Sequence, residues 1–193
     1  MGHRDPTDVA WYDEELAKVA VDGAPRPLTA PIEIQEYDAS WPGLFAREEA
    51  RIRAALGDQI VRIEHVGSTS VPGLAAKPIL DIALEVPDAT DEEAYVPALE
   101  RAGYTLRIRE PEWFEHRGLR GRNPNVNLHV FSAGCEEVDR MVVFRNRLRA
   151  DRADRELYAA KKRELAARDW TYAQQYADAK TEVVLEILSR AEV

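Results

Sequence analysis

Residues 63–86 read IEHVGSTSVPGLAAKPILDIALEV and carry the densest group of side chains in the chain that could handle phosphate. An apolar run containing Val61, Ile63 and Val66 stops at Gly67-Ser68, and a loop of small residues follows. Gly67 has no side chain and tolerates unusual φ, so an anion can approach the backbone there. Ser68, Thr69 and Ser70 offer hydroxyls and N–H groups, and Lys77 could reach a phosphate or cover apolar surface with its stem. Asp81 re-enters on the next apolar stretch, where a lone carboxylate is costly to bury without a partner. It could hold a divalent cation; the alternative is a structural ion pair with Lys77 or an arginine. For Ser68 and Ser70 the alternative is capping of the following turn.

Three further groups could complete such a site. In NVNLHVF, Asn125, Asn127 and His129 fall on one face of a strand by the period of two. His129 could be a metal ligand, a general base, a phosphate contact or a structural histidine. Glu64, on the face opposite His65, could supply a second carboxylate or lie in an exposed ion pair, whereas His65 falls with Val61 and Ile63 as a core residue. The stretch RIREPEWFEHRGLRGRNPN sets Arg107, Arg109, Arg117, Arg120 and Arg122 among Trp113, Phe114 and His116. Guanidinium groups grip phosphate bidentately; the alternative is a solvated loop balanced by Glu110, Glu112 and Glu115. Of the later arginines, Arg145 is the candidate to line a cleft.

The segment GSTSVPGLAAKPILDI closely resembles the GrpB family, placed in the nucleotidyltransferase superfamily. The resemblance begins at IEIQEYDASWPGLFAREEARIRAALGD, runs through NLHVF and continues into VFRNRLRADRADRELYAAKKRELA and DAKTEVVLEIL. It implies a Gly-Ser loop, an Asp-x-Asp/Glu pair on the next strand and a third carboxylate beyond, gripping Mg²⁺ and a nucleoside triphosphate. Residues i and i+2 of a strand lie about 6.6 Å apart, close enough to share metal ions. This chain departs from the pattern, because Ala83 stands two residues after Asp81 and the next acid on that face, Glu85, is roughly 13 Å along. The metal set is therefore missing its second acid or is completed from elsewhere, with Asp81 and Glu64 as candidate metal residues and Asp81 and His129 as candidate catalytic ones. Gly67, Ser68, Thr69, Ser70, Lys77, Arg117, Arg120 and Arg145 are the candidate phosphate- and substrate-binding residues. The resemblance implies a transferase using a nucleotide on a small molecule; the alternative is a binding module for nucleotide or coenzyme A with a degenerate metal site.

The 193 residues suit one sizeable core, and the net charge of −9 argues against nonspecific binding along nucleic acid. No apolar run approaches a membrane span, the start of the chain is too polar for a signal peptide, and Cys135 is the lone cysteine. A cytoplasmic protein that touches neither membrane nor nucleic acid is expected, with self-association open. The pattern predicts a helix over 7–20, a Pro-rich linker to 31, and a domain over 32–193. Within that domain an edge strand is expected at 32–37, followed by a helix from an N-cap at Ser40 to Leu56. Strands at 62–66 and 79–86, a helix at 91–102 and strands at 104–108 and 125–131 come next. Three helices from Glu136, broken near Asp151 and Asp169, complete an α/β (α+β) fold: a small mixed sheet, flanking helices and a helical C-terminal half.

Overall fold

A computed structural model describes residues 5–191; the four residues before them and the last two of the chain, which the sequence reading assigned to the front piece and the domain, lie outside that range. The sheet has five strands: β1 (Arg62–Val66), β2 (Leu80–Val86), β3 (Tyr104–Glu110), β4 (His116–Gly121) and β5 (Val126–Ser132). Their order is β1-β2-β5-β4-β3, antiparallel throughout except for the central parallel pair β2/β5. One face of the sheet carries Leu80, Ile82, Leu84, Val126, Leu128 and Val130, and buries them beneath α2 (Trp41–Leu56) and α3 (Glu92–Arg101). The other face receives the C-terminal helices at the β1 side only. There Val66, Ala83 and Phe131 meet Val138 of α4 (Glu136–Ala150). Val71 and Leu74 of the loop after β1 pack on Leu148, Tyr158 of α5 (Arg152–Ala166) and Ile187 of α7 (Thr181–Ser189). α6 (Ala173–Asp178) closes the helical half.

The strand at 32–37 is not formed. Only Gln35 bridges Ala76, while Ile32 packs on Leu165 and Tyr176 and Glu36 pairs with Arg163. The alternation there serves contacts with helices rather than a sheet. Ser40 occupies the N-cap position of α2 without a side-chain cap bond; Asp38 instead accepts from the Ser40 N–H at 2.8 Å. β4 lies where the sequence suggested an arginine-rich loop. Its glycines are spatial requirements, since a Cβ at Gly118 would lie 3.1 Å from Ile108 and one at Gly121 3.0 Å from the Tyr104 ring. The C-terminal half holds four helices rather than three, because the chain breaks once more between α6 and α7. The front helix, α1 (Val9–Val19), packs against the body: Tyr12 is buried and its hydroxyl donates to Asp178 at 2.6 Å.

Candidate functional site

The registers of β1, β2, β5 and β4 set Val66, Asp81, Asn127 and Arg120 side by side on the sheet face away from α2 and α3. Asp81 is partly open there, with 30% of its side chain exposed. Gly67, at φ +67, is the residue that leaves it room: a Cβ would collide with the Asp81 carboxylate, lying 2.8 Å from its Cβ and 2.9 Å from its Cγ. The glycine of the loop therefore makes space for the carboxylate itself, and the close approach expected for a ligand is taken by Asp81.

A row of polar side chains runs across the sheet from this point. Asn127 donates to Asp81 Oδ1 at 2.7 Å and accepts from Arg120. His129 places Nε2 3.8 Å from the same Oδ1, longer than a direct hydrogen bond. Its Nδ1 is 3.1 Å from Nε2 of His116, whose Nδ1 is 2.7 Å from the Glu110 carboxylate. A carboxylate only accepts, so His116 carries its proton on Nδ1. His116 is buried, and burial together with the neighbouring His129 holds its pKa below the ordinary value against the opposing pull of Glu110. Neutral His116 must then accept at Nε2 from the Nδ1–H of His129. That assignment leaves Nε2 of His129 as the nitrogen that faces Asp81. Burial raises the Asp81 pKa, yet His129, Asn127 and the Lys180 charge outweigh it and keep the carboxyl ionised.

Cations surround this single acid. Lys77 and Lys180 flank the Tyr176 ring at 5.7 and 4.5 Å from its centre. Burial lowers both lysine pKa values, and the Asp81 charge opposes that fall in each. Lys162, almost fully buried, donates to the Ala75 carbonyl and sits 4.9 Å over the Tyr158 ring. Burial and the charge of Lys180 bring its pKa down to about 7. Tyr158 bonds to the Ser68 hydroxyl, and burial pushes its own pKa up to about 12. The remaining loop hydroxyls are turned inward: Thr69 bonds to His65 at 3.0 Å and to the Ile79 carbonyl, while Ser70 donates to the Gly67 carbonyl at 2.5 Å. They hold the loop's shape, and of the three hydroxyls only that of Ser68 is turned toward the C-terminal helices, at Tyr158.

The structure thus brings Asp81, His129, Asn127, Gly67, Ser68, Lys77 and Arg120 together. Arg117 is not among them. It points to the opposite face, is buried, and pairs with Glu92 at 2.6 Å, because an odd step along β4 from Arg120 reverses its side. Glu64 lies one pair further along the sheet, opposite Ala83, and its carboxylate is held between Arg145 at 2.7 Å and Arg62 at 3.2 Å. Arg145 is therefore committed to Glu64 and to the His65 carbonyl. His65 is the core residue expected, stacked on Phe45 at 4.6 Å with its pKa lowered by burial to about 4. Sequence reasoning missed Glu110, Tyr158, Lys162 and Lys180, and counted His116 only as an aromatic of the arginine cluster. The alternation Glu115-His116-Arg117-Gly118-Leu119-Arg120 was the one signal for a strand there.

The donor set does not fit Mg²⁺, which takes several hard oxygen ligands in octahedral geometry. Asp81 contributes one carboxylate whose Oδ1 already accepts from Asn127, and Lys77, Lys180 and Arg120 stand where a dication would add repulsion. Among the described residues no group of three His, Cys, Asp or Glu side chains is placed to hold a metal ion, and no helix is long and apolar enough to cross a membrane.

Comparison with known proteins places this geometry in a family. An UPF0157 protein of Halalkalibacterium halodurans is 57% identical over 179 residues, covering 93% of this chain and 91% of that protein. The crystal structure of the conserved protein GrpB from Enterococcus faecalis superimposes with a TM-score of 0.70 at 29% identity, over 82% of this chain and 96% of that one. A stretch of 97 residues, 48% of this chain, is 32% identical to a quarter (24%) of a dephospho-CoA kinase of Mycolicibacterium paratuberculosis. The family model described as GrpB protein matches residues 31–190, and the chain accordingly belongs to the GrpB family.

Proposed function

We propose that this protein is a transferase that binds a nucleoside triphosphate, or a related phosphorylated small molecule, over the Asp81 face and moves its phosphate-bearing group onto a small-molecule hydroxyl. The observation that carries the reading is the meeting of one oriented acid–base row with a ring of cations on a single open sheet face. Lys77, Lys180 and Arg120 neutralise the phosphates, the part that metal ions play in a site rich in carboxylates. The 3.8 Å between His129 Nε2 and Asp81 Oδ1 lets one acceptor hydroxyl lie within reach of both. Its proton passes to Nε2 as its oxygen forms the new bond to phosphorus. The phosphoanhydride bond opposite breaks, and the electron pair leaves with the departing phosphate or pyrophosphate. Asp81 then faces the imidazolium that has formed and stabilises it. Glu110 and His116 keep the basic nitrogen pointed at the substrate.

A second reading, a binding module for nucleotide or coenzyme A without transfer, is favoured by the single carboxylate and by Ala83 at the position of the second. Thermal denaturation of wild type, Asp81→Asn and Lys180→Met with each nucleoside triphosphate and with coenzyme A, with and without Mg²⁺, tests the placement. A ligand held by the folded protein raises Tm by mass action. Asp81 is an anion inside a cationic site, so Asp81→Asn keeps or enlarges the triphosphate shift and Lys180→Met abolishes it. A shift that requires Mg²⁺ and vanishes in Asp81→Asn contradicts the cationic arrangement. No shift with any of these compounds sinks both readings. ³¹P NMR of the bound nucleotide separates them: transfer releases phosphate or pyrophosphate, and a module leaves the ligand intact.

A further inference from the structure

A cleft of about 280 Å³ lies on the far side of the Gly67–Ser70 loop, between α2 and α4 at the β1 edge of the sheet. Its walls are of two kinds. Pro42, Phe45, Ile63 and Pro72 are apolar, and Arg145 and Arg149, four residues apart on α4, reach in from the other side. The acids of the cleft are already matched. Glu49 is held by Nε and Nη2 of Arg53 at 2.9 and 2.7 Å, and Glu64 lies between Arg145 and Arg62. Arg149 differs: its Nε and Nη2 both donate to the Ser70 carbonyl, at 3.0 and 2.7 Å. Among the described residues no carboxylate lies within ion-pairing distance of it, so Arg149 has no direct ion-pair partner in the cleft. Burial and the like charge of Arg145 lower its pKa against the opposing pull of Glu64.

We propose that this cleft is a binding site for a small organic anion, a carboxylate or phosphate carried on a compact apolar body, distinct from the Asp81 face. The anionic group meets the free edge of the Arg149 guanidinium, where an arginine supplies directed N–H donors. The apolar body lies against Phe45, Pro42 and Pro72. The volume suits a single ring or a short branched chain, since pockets for drug-sized molecules begin at about 300 Å³. Both arginines also grip the loop backbone, Arg145 through the His65 carbonyl at 2.9 Å and Arg149 through that of Ser70. The occupant is thereby linked to the segment that seats Gly67 and Ser68 beside Asp81.

Phenyl phosphate, phenylacetate and inorganic phosphate, each titrated by calorimetry into wild type, Arg149→Gln and Arg149→Lys, provide the test. Wild type binds at least one of the two aryl anions tenfold or more tightly than inorganic phosphate. Arg149→Gln loses that binding, and Arg149→Lys, which keeps the charge, retains part of it. Circular dichroism on each variant establishes that it is folded, and should Arg149→Gln unfold, Arg149→Lys alone decides through a weakened affinity. Absence of binding by either aryl anion, unchanged binding in Arg149→Gln or Arg149→Lys, or equal affinity for inorganic phosphate overturns the assignment.

Discussion

Arg117 and Arg120 lie three residues apart on β4 and face opposite sides of the sheet. Arg117 looks toward α3, where Glu92 binds it and Arg109 together and the three groups close on one another. Arg120 looks the other way, is exposed, and ends a polar row through Asn127, Asp81 and His129 that leaves charge unspent. The same contrast holds along β2. Ile82 is completely buried under α2 and α3, and its neighbour Asp81 is partly exposed on the other side. One face of the sheet is filled and internally matched, and the other is polar and partly exposed around Asp81.

Substitutions on the two faces should therefore fail in different ways, the largest loss coming from the filled side. Ile82→Ala lowers the free energy of unfolding by about 2–5 kcal/mol through lost burial and the cavity left behind. The adjacent Asp81→Asn changes it by less than about 1 kcal/mol while altering ligand binding, and urea unfolding of the pair reads both. A large destabilisation by Asp81→Asn would place that residue in the scaffold. Next comes pH. His65 is kept neutral in the folded protein with a pKa of about 4 against an ordinary 6.5, so the unfolded chain takes up the proton first as pH falls. Its contribution is complete above pH 6.5 and is lost as pH drops toward 4, about 3 kcal/mol in all. A His65→Gln variant shows a correspondingly shallower loss between those values, and an NMR titration in which the His65 ring protonates near pH 6.5 would contradict this.

Gly67→Ala tests the junction between the faces. The added methyl meets the Asp81 carboxylate and forces a non-glycine residue to φ +67, at a cost of about 1–3 kcal/mol. Thermal unfolding reads that cost, and a fully stable Gly67→Ala would show that the loop yields freely. The smallest effect belongs to the largely solvated pair Arg152–Glu156, whose side chains are 82% and 63% exposed. Arg152→Ala leaves the urea midpoint essentially unchanged, since a solvated ion pair adds little to stability.

Much of this arrangement was legible in the sequence. The Gly-Ser loop, Asp81 on an apolar strand, and Asn127 with His129 on one face follow from residue type and the period of two. Register was not legible, since pairing across strands is long-range, and it is register that joins His116 and Glu110 to His129. β4 stayed hidden because His116-Arg117-Gly118-Leu119-Arg120-Gly121 is charged and rich in glycine, a pattern read as loop. Its glycines fit against Ile108 and Tyr104, contacts that exist only once β3 lies beside it. Lys162 looked like an ordinary member of a solvated helix and Lys180 carried no signal of its own. Only the packing of α5 and of the turn before α7 behind the loop brings both within the influence of Asp81.

Calorimetric titration of the nucleoside triphosphates into wild type and Lys180→Met tests the central claim, that the open face is built to hold phosphate, most directly. The account predicts saturable binding of at least one triphosphate by wild type, weakened tenfold or more in Lys180→Met, a loss of about 1.4 kcal/mol or greater. Equal affinity in the two proteins, or no binding by wild type, would contradict it.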